Sequence, residues 1–512
     1  MAAINTQTVL YNESFYDSTF EHPCESETTL PEYLPDVASI VRVDARPVLL
    51  DTSYRNGRVE IDGRVECIIL YLPNEGTLQS FYTRIPFEAT VADESFHPDM
   101  RFYAHVRMDS VRCRPLSGRK LSVRCTVSIT LQGERSREMA LVSLPDVEAQ
   151  KLELLEQHQK VACWIEGARE QFSLEEMLEL PSDSPRMERI LKCDITAYPL
   201  ETRVGTGKVV VGGELSVSCL YMSNVDTGAT DQFSAKVPFN RVIEMPNVRE
   251  DDVVCVGFVI VESACGIMED ASGDERILSC KVGVQLEAVA YRNQDVATVL
   301  DLYGKNKSIQ AKDGSFDVEV AQCLHCANFS ISDSFRPREQ IATLYSSEAF
   351  ADVRSMEYED GKLHLRGDLL VSFLVGLQDG ETLGLDHLFP FDVTCDEVDA
   401  GYDGGVFLGE CRLEEFSYQM SSDGVVFVDA KLGCSIMARL QRSITAVQSV
   451  EISESPSTGN GCKCLTLYYP VEGETLWEIG KRYTTPVQEI RQANNLEGEV
   501  IPKGVKMLLI PR

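Results

Sequence analysis

A fifteen-residue phrase recurs three times and restricts the chain to a tandem architecture. It reads GRVEIDGRVECIILY from Gly57, GKVVVGGELSVSCLY from Gly207 and GKLHLRGDLLVSFLV from Gly361. Each copy has a second glycine six residues on, at Gly63, Gly213 and Gly367, and closes without a gap at Tyr71, Tyr221 and Val375. Downstream, Ile85-Pro86-Phe87, Val237-Pro238-Phe239 and Phe389-Pro390-Phe391 repeat an apolar residue before Pro-Phe. Upstream, Leu30-Pro31 with Pro35 and Ile40 returns as Leu180-Pro181 with Pro185 and Ile190, while the third copy keeps this only loosely, around Pro337 and Ile341. Self-similarity of this kind means one supersecondary unit used repeatedly.

Within each copy apolar and polar residues alternate, as in VEIDGRVECIILY, and a later strand pair follows, such as LSVRCTVSITL or VVFVDAKLGCSIMARL. Period-two alternation is the signature of half-buried strands. Glycine at a fixed point inside a strand indicates a bulge or tight turn. The simplest way to hide so many one-sided strands is to pair sheets, so the fold class expected is mainly β: three tandem β-sandwich-like repeat domains and a small βααβ domain. The expected boundaries are 1–160, 161–325 and 326–450, then a Ser, Gly and Pro rich linker at 451–463 and a final domain at 464–512. A length of 512 residues accommodates three to four domains. Short helices are expected in connectors, for example DVATVLDLYG, with Gly304 as a candidate cap.

The net charge of -32 disfavours nucleic acid and anionic membranes as partners. Residues 463–512 hold seven basic and six acidic residues, a net +1, so the rest of the chain carries -33. The N-terminal MAAINTQTVLYNESF lacks a basic segment followed by an apolar stretch, so no secretory signal is expected. The longest apolar run, VVCVGFVIV at 253–261, is about half of a membrane-spanning helix, and no transmembrane segment is expected. The 17 cysteines mostly fall in strand patterns, among them Cys67, Cys125, Cys219 and Cys280, and read as reduced thiols acting as small buried hydrophobes.

In the tail, Thr475 and Glu478 make a capping box ahead of Leu476, Ile479 and Tyr483 on one helical face. Thr485 is expected to cap a second helix with Pro486 at its first position, Gln488 completing a box, and Val487, Ile490 and Ala493 facing inward before Asn494-Asn495. Leu465 to Tyr469 and Val505 to Ile510 supply two strands. This segment resembles a LysM domain along its whole length. The resemblance implies an N-acetylglucosamine groove between Gly473, Glu474, Thr475 and Leu476 on one side and Asn495, Leu496, Ile501 and Pro502 on the other.

The body resembles the SPOCS domain of spore-coat proteins in clostridia and bacilli, through LPEYLPDVASIVRVDARP at 30–47, the glycine-bearing phrase and the IPFE after it. Three such units before one LysM resemble the clostridial coat morphogenetic family that binds the coat basement-layer ATPase, SpoIVA. The resemblance implies a coat-assembly scaffold in the mother-cell cytoplasm at the forespore surface, not secreted, with that ATPase and other coat proteins as partners. The competing reading is a peptidoglycan-binding protein at the cell wall.

No catalytic constellation emerges. Cys323-Leu-His-Cys326 has the spacing of half a zinc site, with no second pair at a suitable distance. Asp399, Asp403, Gly404 and Glu410 match some calcium-loop positions, but Gly401 breaks the pattern, and an acidic turn is expected. GTGK at 205–208 lacks phosphate-loop spacing, and no HExxH or nucleophile elbow occurs. The expectation is a non-enzyme with no catalytic residue, no cofactor and no metal.

Overall fold

The computed structural model describes residues 2–3, 5–144, 147, 150–305, 307–360, 362–395, 402, 404–454, 465–471, 473–496, 498, 501 and 507–511. Each repeat is built from six strands in two sheets. In the first, β2 (Thr6–Thr29) precedes a meander of β3 (Val37–Arg55), β4 (Arg58–Pro73) and β5 (Gln79–Ala92), then β6 (Arg101–Pro115) and β7 (Lys120–Val142). The meander is one sheet, and β2-β7-β6 is the other. β1 (Ala2–Ala3) lies outside this unit and pairs with the last strand of the third repeat.

The second repeat runs β8 (Glu153–Glu179), β9 (Arg189–Gly205), β10 (Lys208–Asn224), β11 (Ala229–Glu244), β12 (Val253–Glu269) and β13 (Glu275–Tyr303). The third runs β14 (Lys307–Phe335), β15 (Ile341–Glu359), β16 (Lys362–Leu377), β17 (Thr382–Cys395), β18 (Gly404–Met420) and β19 (Val426–Glu454), with the same pairing order. Each unit closes its own apolar core between its two sheets. The fold is mainly β, as expected.

The repeated phrase is the central strand of each meander. Its first glycine turns the hairpin: Gly57 and Gly207 have φ of 79° and 76°, where a side chain would be strained. Gly361 lies outside the described residues. The second glycine sits at a bulge facing the strand before it, between Leu49 and Asp51 in the first repeat and between Val353 and Ser355 in the third. It also lies beneath the ring of the Pro-Phe motif. A Cβ on Gly63 would stand 2.2 Å from Phe87, and one on Gly213 would stand 2.4 Å from Phe239. The two repeated motifs are therefore one contact, a phenylalanine covering a bare stretch of backbone.

A second bulge recurs in the hairpins, beside Val127, Val284 and Leu432, and a third in the meanders, beside Leu70, Leu220 and Leu374. These marks fix which residues are equivalent.

The three sandwiches close a ring with pseudo-threefold symmetry. β5 touches β9, β11 touches β15, and β17 touches β3, so every meander meets the next in cyclic order. The equivalent Leu70, Leu220 and Leu374 share one buried cluster where the repeats meet. At this level the alternation of β4 gives way to the buried run Ile69, Leu70 and Tyr71, because the neighbouring repeats cover the outer face. Burying each leucine contributes roughly 2 kcal/mol.

Several expectations are corrected. Val296 to Tyr303, within the stretch read as a helix, belongs to β13 and pairs along its length with β8. Its Val and Thr residues suit a pleated surface. Gly304 is not a helix cap: a Cβ there would meet Leu152 at 2.5 Å. Cys411 and Cys434, opposite one another on β18 and β19, form a disulfide, so the cysteines are not all reduced. The positions 160 and 325 fall inside β8 and β14, because each repeat opens with a long strand that precedes its recognisable phrase. The first four residues assigned to the linker complete β19, and 455–464 lie outside the described residues.

Candidate functional site

The terminal module pairs β20 (Leu465–Tyr468) with β21 (Leu508–Pro511) around α1 (Leu476–Tyr483) and α2 (Val487–Ala493). Helix α1 starts as the sequence indicates. The Glu478 amide donates to Thr475 Oγ1 at 3.2 Å, and Glu478 Oε2 accepts from the Thr475 amide at 2.9 Å. That backbone bond, with the Thr475 hydroxyl, holds the Glu478 carboxyl below its usual range. Helix α2 departs from expectation. Pro486 is its N-cap, without a side-chain bond, while Thr485 Oγ1 donates to the Pro511 carbonyl at 3.0 Å. Thr485 thus ties the helix entrance to β21. Ala493 is exposed, and Asn494 does the joining there, accepting from the Leu509 amide at 2.6 Å. Val505 lies outside the described residues.

The residues expected to line the groove divide into framework and surface. Leu476 is fully buried, and Leu496 and Ile501, half-buried, pack in the same small core. Glu474 accepts from the Tyr468 hydroxyl at 2.7 Å and pairs with Arg482 at 3.0 Å, so its carboxylate is engaged inside the module. Thr475 is committed to its cap. Gly473 and Asn495 are exposed, both at positive φ. Pro502 lies outside the described residues.

The sequence did not reveal that the module is docked. Trp477 Nε1 donates to Asp301 Oδ2 at 2.9 Å, and Lys481 Nζ reaches Asp301 Oδ1 at 2.7 Å. Tyr303 Oη donates to the Thr485 carbonyl at 2.9 Å, and its ring meets Trp477 edge-on at 4.9 Å. Gly480 leaves room for this contact, since a Cβ there would stand 2.4 Å from Tyr303 Oη. Burial would raise the Asp301 pKa, but hydrogen bonds from Lys481 and Trp477 outweigh it and hold the carboxyl below its usual range. The end of β13 therefore grips α1, while Gly473 and Asn495 remain open. The one available signal was Trp477, an aromatic outside the Leu476, Ile479 and Tyr483 face.

Other sequence candidates resolve simply. Cys323 Sγ donates to the Val254 carbonyl at 3.4 Å, whereas the side chains of His325 and Cys326 lie outside the described residues. Asp399, Gly401 and Asp403 also lie outside them. Gly404 and Glu410 belong to β18, a strand where an EF-hand would turn into its exit helix. GTGK is the β9–β10 hairpin turn.

The SipL SPOCS domain model matches residues 36–116 and 186–268, and the LysM domain model matches 471–511. Two segments of the chain thus match the SPOCS domain and its tail matches the LysM domain. The SPOCS matches span β3 to β6 and nearly all of β9 to β12, and the third repeat has the same strand order. No curated protein and no solved structure matches the chain. The SPOCS match indicates a sporulation-associated protein, the LysM match a peptidoglycan-binding type of module, and both domains are of binding rather than catalytic type. Among the described residues no helix is long and apolar enough to cross a membrane.

Proposed function

We propose that the chain is a non-enzymatic scaffold of spore-coat assembly at the forespore surface on the mother-cell side. Its LysM docks on the coat basement-layer ATPase of SpoIVA type, and the SPOCS ring spaces other coat proteins. The observation carrying this reading is the posture of the module. Helix α1 is spent on Asp301 and Tyr303, while Gly473 and Asn495 stay exposed on a module carried by a strongly acidic body. A near-neutral module on such a body is the part that another macromolecule approaches with least long-range repulsion. The second reading, binding of N-acetylglucosamine in peptidoglycan, is favoured by the LysM match itself.

The experiment is capture by the full chain of either the purified coat ATPase or purified peptidoglycan. Retention of the ATPase, lost with Asn495→Trp while the fold is kept by circular dichroism, supports the scaffold. Retention of peptidoglycan alone transfers the assignment to the wall-binding reading.

A further inference from the structure

Three strands of the second sandwich bring three thiols together across its two sheets. Cys193 lies on β9, Cys265 on β12 and Cys280 on β13. The Cys193 and Cys265 sulfurs are 3.1 Å apart and those of Cys265 and Cys280 are 3.6 Å apart, with all three inside 4.8 Å. Cys219, the register partner of Cys193 on β10, is buried beside it. Among the described residues no other group of three His, Cys, Asp or Glu is so close.

The sandwich does not require thiols at these places. By the bulge register, Cys193, Cys219, Cys265 and Cys280 correspond to Val43, Ile69, Cys113 and Val123 in the first repeat. In the third they correspond to Ser347, Phe373, Tyr418 and Val428. The same interior is filled there mostly by apolar side chains. All four positions are cysteine in the second repeat alone, where they converge.

We propose that the second repeat binds a soft d10 cation of the zinc class through Cys193, Cys265 and Cys280, with Cys219 as the adjacent fourth thiol. Tetrahedral thiolate coordination at a Zn–S bond of about 2.3 Å sets sulfurs about 3.8 Å apart, close to the spacing present. Thiolates select such ions over magnesium or calcium, and binding releases the thiol protons to solvent. Cys193 and Cys265 are partly exposed, which gives an ion access, while buried Cys280 closes the inner side. The ion would clamp β9 of one sheet to β12 and β13 of the other. No spacing motif announces it, because the ligands lie on four separate strands. This assignment stands apart from the docking reading.

The test uses the full chain, reduced and freed of metal, titrated with Co2+. The expected result is one equivalent bound, with a thiolate-to-cobalt charge-transfer band and intense tetrahedral d–d bands, both bleached by Zn2+. Cys265→Ser should abolish the bands and Cys323→Ser should leave them. Cys280→Val copies the residue at Val123 and Val428, so it should fold while losing the bands and the rise in Tm that zinc gives the wild type. Absence of the bands in the reduced protein overturns the proposal. So do bands that survive both Cys265→Ser and Cys280→Val, or a Cys193–Cys265 disulfide in non-reduced peptides with no cobalt uptake after reduction.

Discussion

Tyr291 donates its phenolic hydrogen to Glu134 Oε2 at 2.8 Å, although the two occupy the same position in successive repeats. The third equivalent residue is Arg439, whose guanidinium also bonds Glu134 Oε2 and lies 5.8 Å from the Tyr291 ring centroid. An anion, a cation and a neutral donor thus converge from one structural position. A ring of identical subunits would set like groups against one another there. Three repeats on one chain allow the position to diverge into complementary partners. Asn12, Arg101 and Glu319 complete a buried network.

Removing one member of that network should cost more than an ordinary core polar substitution. Glu134→Ala leaves Arg439 charged and buried, for which a loss of about 3–5 kcal/mol is expected. Tyr291→Phe removes one hydrogen bond to a charged group, about 1.5–3 kcal/mol. Urea unfolding of the full chain measures both. Equal effects from the two variants would mean that Arg439 finds another anion, with Glu319 the nearest candidate, 3.9 Å away.

The same carboxylate sets a pH dependence. Burial raises the Glu134 pKa, but Arg439 and Arg101 outweigh burial and leave it below the usual glutamate range. A folded-state pKa below the unfolded one means that the unfolded chain binds more protons. Glu134 therefore contributes its full stabilisation above the unfolded glutamate pKa and loses it as pH falls through the lowered folded value. Wild-type Tm should fall across that acidic window, and Glu134→Gln should flatten part of the fall. A parallel shift of both curves would assign the dependence to other carboxylates.

The interlock also predicts how the chain divides. Lys192 of the second repeat contacts Asp44 of the first at 2.8 Å and Glu348 of the third at 2.6 Å. Burial opposes its charge, yet Asp194, Glu348 and Asp44 together raise its pKa above that of an ordinary lysine. A fragment of residues 153–303 would expose Leu220, Met222 and Tyr291 and leave Lys192 without two of its anions. It should aggregate or melt far below residues 1–454, by size exclusion and circular dichroism. A soluble, cooperatively folding fragment would restore the picture of three independent domains.

The meanders were legible because one contact dictates them. Gly63 under Phe87 constrains two positions in every copy, so the motif persists where other residues drift. The ring was not legible, because its positions diverge in type: Glu134, Tyr291 and Arg439 share nothing until their strands are aligned by bulges. One signal existed. The runs Ile68 to Tyr71 and Leu220 to Met222 break alternation, which means burial on both faces and a neighbour across the outer one. The thiol cluster was missed for a related reason, since four ligands on four strands leave no local spacing. In the tail the first capping box was legible as a local bond pattern, whereas the docking of α1 depends on Asp301 and Tyr303, which lie far away in sequence.

The final prediction concerns that docking. Asp301 binds both Trp477 and Lys481, so Asp301→Ala removes two charge-assisted hydrogen bonds at once. Each contributes about 1.5–3 kcal/mol where partly buried, less the exposed character of Lys481, which discounts its share. Trp477→Ala adds the loss of ring packing on Tyr303. The double variant should release the module from β13 without unfolding it, because Leu476, Ile479 and Ile490 hold the LysM core and Thr475 still caps α1. Small-angle scattering should show an expanded particle, and hydrogen exchange should quicken at the end of β13 while the amides of α1 and α2 stay protected. Tyr303→Phe, which deletes one hydrogen bond and keeps the ring, should leave the module docked. Docking also has a pH sense: with the Asp301 pKa lowered in the docked state, the grip is complete above the usual aspartate range and is lost as pH falls below it through the lowered value. Unchanged scattering and exchange in the double variant would mean that Tyr303 and its bond to Thr485 hold the module unaided.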